Sequence, residues 1–226
     1  MGICAYLEYM KWLTYGNAAS RPLVERCYSS FVSIYPNETL TIYCLDLELY
    51  EYCSSLSQVE AVKWYIETAA DYARWSLDLT TTYQIINRQK FKIIQHAYKS
   101  QMIWFDLDVI HLRPVTEYLQ SLESGIHCSI HLNKTFCTGV LYFNNINTDV
   151  LSLLTSVDYD DERILIDFFW RKLIALNKLD LNIISNPELG KIPTTAGIVH
   201  FPGITPLSLK LRLIDAALNK AAVVVA

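Results

Sequence analysis

The sequence predicts an α/β protein with a mostly parallel, twisted sheet that is flanked by helices on both faces. Short apolar, β-rich runs alternate with stretches whose apolar residues recur at helical spacing. Such alternation is typical of βαβ units, whose crossover helices cover the sheet. The chain has 226 residues, 52% of them hydrophobic, which suits one domain with a sizeable core. One apolar run ends in an acid-x-acid triplet, where open α/β sheets place their ligands.

The first part of the chain predicts strands and helices in turn. Residues 11–15 form a strand that ends at the turn dipeptide Gly16-Asn17. Pro22 opens a helix and Pro36 ends it. A second strand covers 39–45 and ends at Asp46. The remaining predictions are a helix from Ser57 to about Trp75, on the capping-box spacing of Ser57 and Glu60, and a helix over about 82–99.

The second part continues the same alternation after the strand that carries the triplet. Strands are predicted at 125–132 and 139–143, followed by a buried helix over 162–176. A short apolar strand at 197–201 contains His200, and a terminal helix follows Pro206.

The triplet Asp106-Leu107-Asp108 follows the apolar strand Met102-Ile103-Trp104-Phe105. Side chains two apart on a strand share a face and lie roughly 6.6 Å apart at about 3.3 Å per residue. A hard divalent cation binds such carboxylates directly or through water. The alternative interpretation is a pair of solvated acids at a strand end. A second acid-x-acid copy, Asp158-Tyr159-Asp160, leads into a helical stretch and is most simply explained by helix capping.

Composition excludes several classes of function. The net charge is −4 and no Lys/Arg-rich run exists, so nucleic acid is not an expected partner. The sequence contains no run of 18 apolar residues, so no membrane span is predicted. No signal peptide is evident, and the six cysteines lack a C-x-x-C pair, so we expect a cytoplasmic protein with reduced, buried thiols.

Seven short motifs occur in order over about residues 11–206: Leu13-Thr14-Tyr15-Gly16, Tyr43-Cys44-Leu45-Asp46, Arg88-Gln89-Lys90-Phe91, Trp104-Phe105-Asp106-Leu107-Asp108-Val109 with Arg113-Pro114, Cys137-Thr138-Gly139-Val140-Leu141-Tyr142-Phe143-Asn144, Asp160-Asp161-Glu162 with Leu165, and Val199-His200-Phe201-Pro202-Gly203. Together they resemble the metal-dependent GT-A glycosyltransferases, specifically the nucleotide-diphospho-sugar transferases and their retaining relatives. The resemblance implies a GT-A, Rossmann-like fold in one catalytic domain, 1–226. Its nucleotide-binding half would be about 1–110 and its acceptor-side half about 111–226.

The resemblance also implies an activity. A hexose or pentose would pass from a nucleoside-diphosphate sugar to a hydroxyl of a glycan, lipid-linked or protein acceptor, with retention the better expectation. Asp108 would ligate Mn²⁺ or Mg²⁺, Asp106 would reach the metal or the ribose, and His200 would be a third ligand. Two carboxylates and an imidazole leave positions for diphosphate oxygens, and Mn²⁺ accepts mixed O/N ligands. By itself, a histidine on an apolar strand is more often a satisfied core or surface histidine than a ligand, and only its neighbours make the two interpretations of His200 about equal.

Further residues follow from the resemblance for the donor side. Thr14 and Tyr15 would lie near the base and ribose, and Gly139 would permit close backbone approach to the donor sugar. Asp161 would be catalytic or acceptor-side, with helix capping as the equal alternative.

The chain departs from the family at two places. Relatives continue the His-Phe-x-Gly segment with Lys-Pro, whose Lys grips the diphosphate, whereas Thr205-Pro206 stands here. Lys90, taken as a donor-binding residue, or Lys210 would have to replace that cation. Glu162 stands where relatives have Gln, which leaves donor identity and stereochemistry open.

Three other interpretations remain open from the sequence. Phe105-Asp106-Leu107-Asp108 also resembles the nucleophile motif of haloacid-dehalogenase-type phosphatases, in which Asp106 would become an aspartyl-phosphate. That motif usually opens the chain, whereas about a hundred residues precede it here. A non-catalytic module that binds sugar nucleotides is also consistent with the absence of the Lys that grips the diphosphate in relatives. A zinc site from His111, His127 and His131 lacks supporting acid or Cys spacing.

Overall fold

A computed structural model describes residues 10–64, 89–131, 135–156, 161–187 and 192–225, with side chains described up to residue 220. Its strands are β1 (Lys11–Gly16), β2 (Leu40–Cys44), β3 (Val59–Lys63), β4 (Gln101–Phe105), β5 (Val109–His111), β6 (Gly125–Ile130), β7 (Phe136–Asn144), β8 (Leu176–Lys178), β9 (Ile184–Ser185) and β10 (Ile198–His200). Its labelled helices are α1 (Arg21–Ile34), α2 (Leu47–Ser54), α3 (Thr116–Gln120), α4 (Thr148–Thr155), α5 (Asp161–Trp170) and α6 (Leu207–Val225).

Two sheets organise the chain. The larger has seven strands in the order β3-β2-β1-β4-β7-β6-β8, and β7 runs antiparallel to both of its neighbours. All other neighbours in that sheet are parallel, which confirms the predicted mostly parallel α/β architecture. The smaller sheet has the order β5-β10-β9, with β10 antiparallel to β5.

The core lies on both faces of the large sheet. On one face, Trp12 of β1 packs with Phe31 of α1. On the other, Leu13 and Trp104 pack with residues of α5 such as Leu165. A third apolar cluster joins the small sheet to α6. The alternation of buried side chains along β1 therefore serves two layers, as expected for a sheet covered on both sides.

Two predicted helices are wrong in whole or in part over the residues that the structure describes, and the end of the first, 65–75, lies outside those residues. The capping-box segment at Ser57 does not start a helix, because residues 59–63 form β3 and pair with β2 in parallel. Gln58 adopts a φ of 58°, and Glu60 accepts a hydrogen bond from Thr41 Oγ1 at 2.8 Å, so the capping-box glutamate is used across strands. The helix predicted over 162–176 ends at Trp170, and Leu176 instead begins β8 against Ile126.

The other predicted elements are confirmed within small shifts of their ends. Of the helix predicted over 82–99, residues 89–97 are helical and the earlier part lies outside the described residues. Asp158 and Asp160 lie outside them too. The five described cysteines are free and buried, as predicted: Cys27, Cys44, Cys53, Cys128 and Cys137. Within the described ranges, no helix combines the length and apolarity needed to cross a membrane.

Candidate active site

A cleft of about 660 Å³ opens at the edge of the large sheet where β1 and β4 end and β7 begins. The end of β1 contributes Tyr15, and the turn after β4 contributes Asp106 and Asp108. Gly139 of β7 and His200 of β10 complete its floor. Residues far apart in sequence meet here because parallel strands bring their carboxyl ends to one edge.

Asp106, Asp108 and His200 form a group whose ligand atoms lie within 4.8 Å of one another. The two aspartates lie in a tight turn that connects β4 to β5, and Val109 N donates a hydrogen bond to Asp106 O at 3.2 Å across this turn. β10 pairs with β5 so that His200 stands opposite Val109, next to Asp108. His200 Nε2 and Asp108 Oδ1 are 3.2 Å apart. This donor set of two carboxylates and one imidazole fits Mn²⁺ or Mg²⁺.

Lys210 brings a cation to this group from the first turns of α6. Its Nζ contacts Asp108 Oδ2 directly. Burial alone would raise the pKa of Asp108, but His200 and Lys210 hold it well below its ordinary value. Burial would likewise lower the pKa of His200, whereas the Asp108 carboxylate and Cys137 raise it well above the usual range. The carboxylate of Asp108 is therefore kept ionised, and His200 would have to release a proton to act as a metal ligand.

Gly139 makes room for His200. A Cβ on Gly139 would lie 1.9 Å from His200 Cε1, so any side chain there would displace the imidazole. Gly139 O also accepts a hydrogen bond from Asp106 N at 2.8 Å. The glycine predicted to face the donor sugar thus has a structural reason within the chain: it lets the third ligand of the proposed metal group reach Asp108.

A second cationic centre lies beneath the cleft. Lys90 is 1% exposed, its Nζ lies 3.0 Å from Asp106 Oδ1, and it contacts Asp161 Oδ2. It also donates to Thr138 O at 3.2 Å, while Thr138 Oγ1 donates to Asp161 Oδ2 at 2.7 Å. Burial would lower the pKa of Lys90, but Asp106 and Asp161 together raise it well above its ordinary value. Lys90 is thus a fixed countercharge for two carboxylates.

The fold can be compared with known proteins. No protein-family model matches the sequence, and no curated protein matches it either. Solved structures do match. The galactosyltransferase LgtC, in complex with donor and acceptor sugar analogs, is 13% identical with a TM-score of 0.57 over 86% of this chain and 87% of that one. This chain has the GT-A glycosyltransferase fold.

Two more matches have the same GT-A architecture. The glycosyltransferase GlyE of Streptococcus pneumoniae TIGR4 is 14% identical, with a TM-score of 0.57 over 91% of this chain and 63% of that one. A glycosyltransferase involved in the glycosylation of the major capsid of PBCV-1 is 11% identical, with a TM-score of 0.58 over 91% and 99% of the two chains.

Within this GT-A fold, two predicted donor-binding residues lie away from the cleft surface. Thr14 is fully buried, with its side chain on the same face of β1 as Trp12, and does not line the cleft, whereas its neighbour Tyr15 does. Lys90 likewise lies below the cleft, and Lys210 is the cation that lines it. Sequence alone could not choose between the two lysines, because Lys210 reaches Asp108 only through the docking of α6.

For Asp161 the sequence left open whether it caps a helix or acts in catalysis or on the acceptor side. It is the first residue of α5, and its Oδ1 accepts a hydrogen bond from Glu162 N at 3.0 Å. Its other oxygen, Oδ2, accepts a hydrogen bond from Thr138 Oγ1 and forms an ion pair with Lys90 Nζ. Although Asp161 borders the cleft, its carboxylate is 3% exposed and engaged on both oxygens. Its contacts are those of a residue that positions Lys90.

Sequence reasoning missed a second group of possible ligands beside the first: His131, Cys137 and Glu162. Burial would raise the pKa of the Cys137 thiol, but His200 and His131 lower it to about 7. The three histidines weighed as a zinc site do not meet. His111 is enclosed by aromatic rings, and burial lowers its pKa to about 3, while His127 bonds to Glu123 O at 2.8 Å. The sequence had marked two members of this group separately, His131 as a possible zinc ligand and Glu162 as a departure from the family.

Proposed function

We propose that this chain is a metal-dependent glycosyltransferase that moves a sugar from a nucleoside-diphosphate donor to a hydroxyl acceptor. The observation that carries the proposal is the meeting of Asp106, Asp108 and His200 with Lys210 in one cleft of a GT-A fold. The fold neighbours are themselves glycosyltransferases. Glycan, lipid-linked and protein hydroxyls all remain within the proposed acceptor class, and retention is the proposed outcome.

The metal-binding side chains are proposed to be Asp108 and His200, with Asp106 as a third ligand or a ribose contact. A bound Mn²⁺ or Mg²⁺ would supply Lewis-acid stabilisation of the charge on the leaving diphosphate. Lys210 would move from Asp108 to a diphosphate oxygen, since an ammonium is a flexible point charge that follows the nearest anion. It would thereby supply the positive charge that Thr205-Pro206 lacks.

The remaining residues organise the cleft before any ligand arrives. Lys90 holds Asp106 and Asp161 in place, so these carboxylates need not reorganise during the reaction. Tyr15, whose ring lies 5.0 Å from that of Trp104, would lie at the nucleotide end. In this proposal residues of about 1–110 bind the nucleotide and residues of about 111–226 face the acceptor.

The decisive test combines ligand binding with turnover. Thermal unfolding would be followed with UDP-, GDP- and dTDP-sugars, each with and without Mn²⁺. A donor at 100 times its dissociation constant should add about 2.7 kcal/mol to the free energy of unfolding. We expect one donor to stabilise the protein only with Mn²⁺, and Asp108→Asn to abolish both this shift and donor hydrolysis. Asp167→Asn, an exposed acid on α5, is the matched control and should change neither.

Three results would count against the proposal. Full Mn²⁺-dependent hydrolysis in Asp108→Asn would remove its basis. A beryllofluoride adduct or trapped acyl-phosphate on Asp106 would establish phosphatase chemistry instead. Metal-dependent nucleotide affinity without hydrolysis or transfer to any acceptor would identify a binding module.

A further inference from the structure

We propose that His131, Cys137 and Glu162 form a second metal site, selective for a thiophilic divalent cation such as Zn²⁺. The group is distinct from Asp106, Asp108 and His200, and its three ligand atoms also lie within 4.8 Å of one another. It faces the same cleft, which His131 and Glu162 help to line. The inference does not depend on the proposed transferase activity, because metal binding is measured directly.

The geometry is close to that of a tetrahedral site. His131 Nε2 and Glu162 Oε1 are 3.2 Å apart, and Cys137 Sγ lies within 4.8 Å of one ligand atom of each of these residues. With Zn–S of about 2.3 Å and Zn–N or Zn–O of about 2.0–2.1 Å, neighbouring ligand atoms of a tetrahedral zinc lie about 3.3–3.6 Å apart. The side chains of His131 and Glu162 are both partly exposed, so they can rotate to bring their ligand atoms from within 4.8 Å to the shorter distances of a zinc site.

The ligands come from three separate elements of the fold. Cys137 lies on β7 and is buried, His131 follows β6, and Glu162 lies in the first turn of α5. Cys137 stands opposite Ser129 in the β6–β7 pairing, so two of the three ligand positions are held by the sheet. Three protein ligands and an open side toward the cleft are the arrangement of zinc sites that keep a position for water or substrate.

The chemistry of the two groups separates their metals. Asp106, Asp108 and His200 offer oxygen and nitrogen only, which suits Mg²⁺ or Mn²⁺. The second group adds a sulfur, and thiolate ligands favour Zn²⁺ over these harder cations. Binding would release the thiol proton of Cys137, since the thiolate is the ligand. The simpler alternative is that no metal binds here, and that His131 and Glu162 form an ion pair beside the buried thiol of Cys137.

The two groups are in contact through one pair of residues. Cys137 Sγ lies 3.5 Å from His200 Nδ1, and Asn186 Oδ1 lies 3.2 Å from the same nitrogen. A metal on Cys137 would take the sulfur from His200 and leave Asn186 as the partner that orients the imidazole. Occupancy of the second site would therefore be felt by the first, which gives the cleft a route for regulation by zinc.

Cobalt substitution tests the site directly. Co²⁺ would be titrated into the protein in saturating Mg²⁺, which fills the oxygen-rich group first. We expect one equivalent to produce a thiolate-to-cobalt charge-transfer band in the near ultraviolet, and stoichiometric Zn²⁺ to abolish it. Cys137→Ala should lose the band, whereas Cys128→Ala, which removes the neighbouring buried thiol on β6, should keep it.

A second pair of variants guards against misfolding of Cys137→Ala. His131→Gln should weaken Co²⁺ binding at least tenfold, while His127→Gln, on the same strand region, should leave it unchanged. No band in the wild-type protein, a band that survives Cys137→Ala, or equal affinity in the two histidine variants would overturn the proposal.

Discussion

Two lysines next to the acidic triplet illustrate how burial decides what a charge does. Lys90 is enclosed, with Asp106 and Asp161 as its partners, whereas Lys210 lies at the surface of the cleft against Asp108. Both are single positive charges beside aspartates in the same site. Their substitution should nevertheless affect different properties. Loss of Lys90 should mainly lower stability, because this charge is buried, whereas loss of Lys210 should mainly weaken ligand binding, because this charge lines the cleft.

Lys90→Met should destabilise the protein, since it leaves the buried Asp161 without its countercharge. We expect a loss of about 3–5 kcal/mol in the free energy of unfolding, measured by urea denaturation. Lys210→Met should destabilise the protein less, because Asp108 keeps His200 as a second positively charged partner at 3.2 Å. Equal effects on stability would contradict this assignment of the two lysines.

Lys210→Met should instead weaken donor binding. Loss of a hydrogen bond to a charged group costs about 1.5–3 kcal/mol, or roughly a tenfold to hundredfold rise in dissociation constant. Calorimetric titration with the nucleotide diphosphate in the presence of Mn²⁺ measures this affinity. Lys172→Met, just beyond the C-terminal end of α5 and outside the cleft lining, is the control. Unchanged affinity in Lys210→Met would exclude the lysine from the diphosphate site.

Gly139 offers a test of how the third metal ligand is placed. Gly139→Ala should push His200 aside, because the new Cβ would lie 1.9 Å from His200 Cε1. We expect at least a tenfold loss of Mn²⁺ affinity and a loss of stability. In a His200→Ala background the same change should cost little, since the clashing ring is gone. A double-mutant cycle measures this coupling, and additive effects would show that the glycine acts elsewhere.

The residue scale also shows what sequence could predict. Asp106 and Asp108 were found because a buried strand followed by two acids is a local pattern. The contact of Lys210 with Asp108 could not be predicted in this way. It depends on how α6 packs, and α6 lies about a hundred residues further along the chain. Gly139 was predicted to let the backbone approach the donor sugar, whereas the space of its missing Cβ is taken by His200, which only the β5–β10 pairing brings there.

Among the elements, β3 shows why local signals can mislead. Ser57 and Glu60 have the spacing of a capping box, but the free edge of β2 lies beside them in space. Backbone pairing with β2 satisfies five residues at once, whereas a capping box satisfies only one helix end. Leu40 N donates to Gln58 O at 2.9 Å, which starts this pairing immediately after the turn. A non-local strand partner thus outweighs the helical pattern.

The helix that carries Lys210 is tied to α1 by a bidentate ion pair. Arg26 Nε and Nη2 donate to the two oxygens of Asp215 at 2.7 and 2.9 Å. The hydrogen bond from Arg26 is the main reason that the pKa of Asp215 lies below its ordinary value. The pair is partly exposed and therefore screened by solvent, but it fixes α6 beside the cleft.

Asp215→Asn should destabilise the protein by about 0.5–1 kcal/mol at neutral pH. Because the folded pKa of Asp215 is lowered, its contribution is present above the ordinary aspartate pKa of about 3.9 and is lost as pH falls through the folded value. The wild-type advantage in urea denaturation should therefore shrink in acid and in high salt. Glu25→Gln, which breaks an exposed pair within α1, is the control. A difference that persists in acid would refute the ion-pair explanation.

At the scale of the whole molecule, the cleft exists only when distant segments are assembled. Its residues come from the end of β1, the turn after β4, β7, the start of α5, β10 and α6. The sequence predicted a single domain, 1–226, with a nucleotide-binding half of about 1–110 and an acceptor-side half of about 111–226. The sheet order indicates how strongly these halves are joined, because β4 of the first half pairs with β7 of the second.

The pairing of β4 with β7 predicts that the two halves do not unfold independently. Five residue pairs connect these strands, and β5, which crosses the boundary, pairs with β10 in the second half. Separating the halves would expose the edge of β4 and the buried Trp104 on it, with no other strand to cover them. We therefore expect one cooperative transition, coincident when followed by far-ultraviolet circular dichroism and by tryptophan fluorescence. Mn²⁺ with a nucleotide diphosphate should shift both curves together, because the proposed metal ligands come from both halves. Two separated transitions, or a ligand shift confined to one of them, would show that the halves are autonomous and that the cleft forms after each has folded.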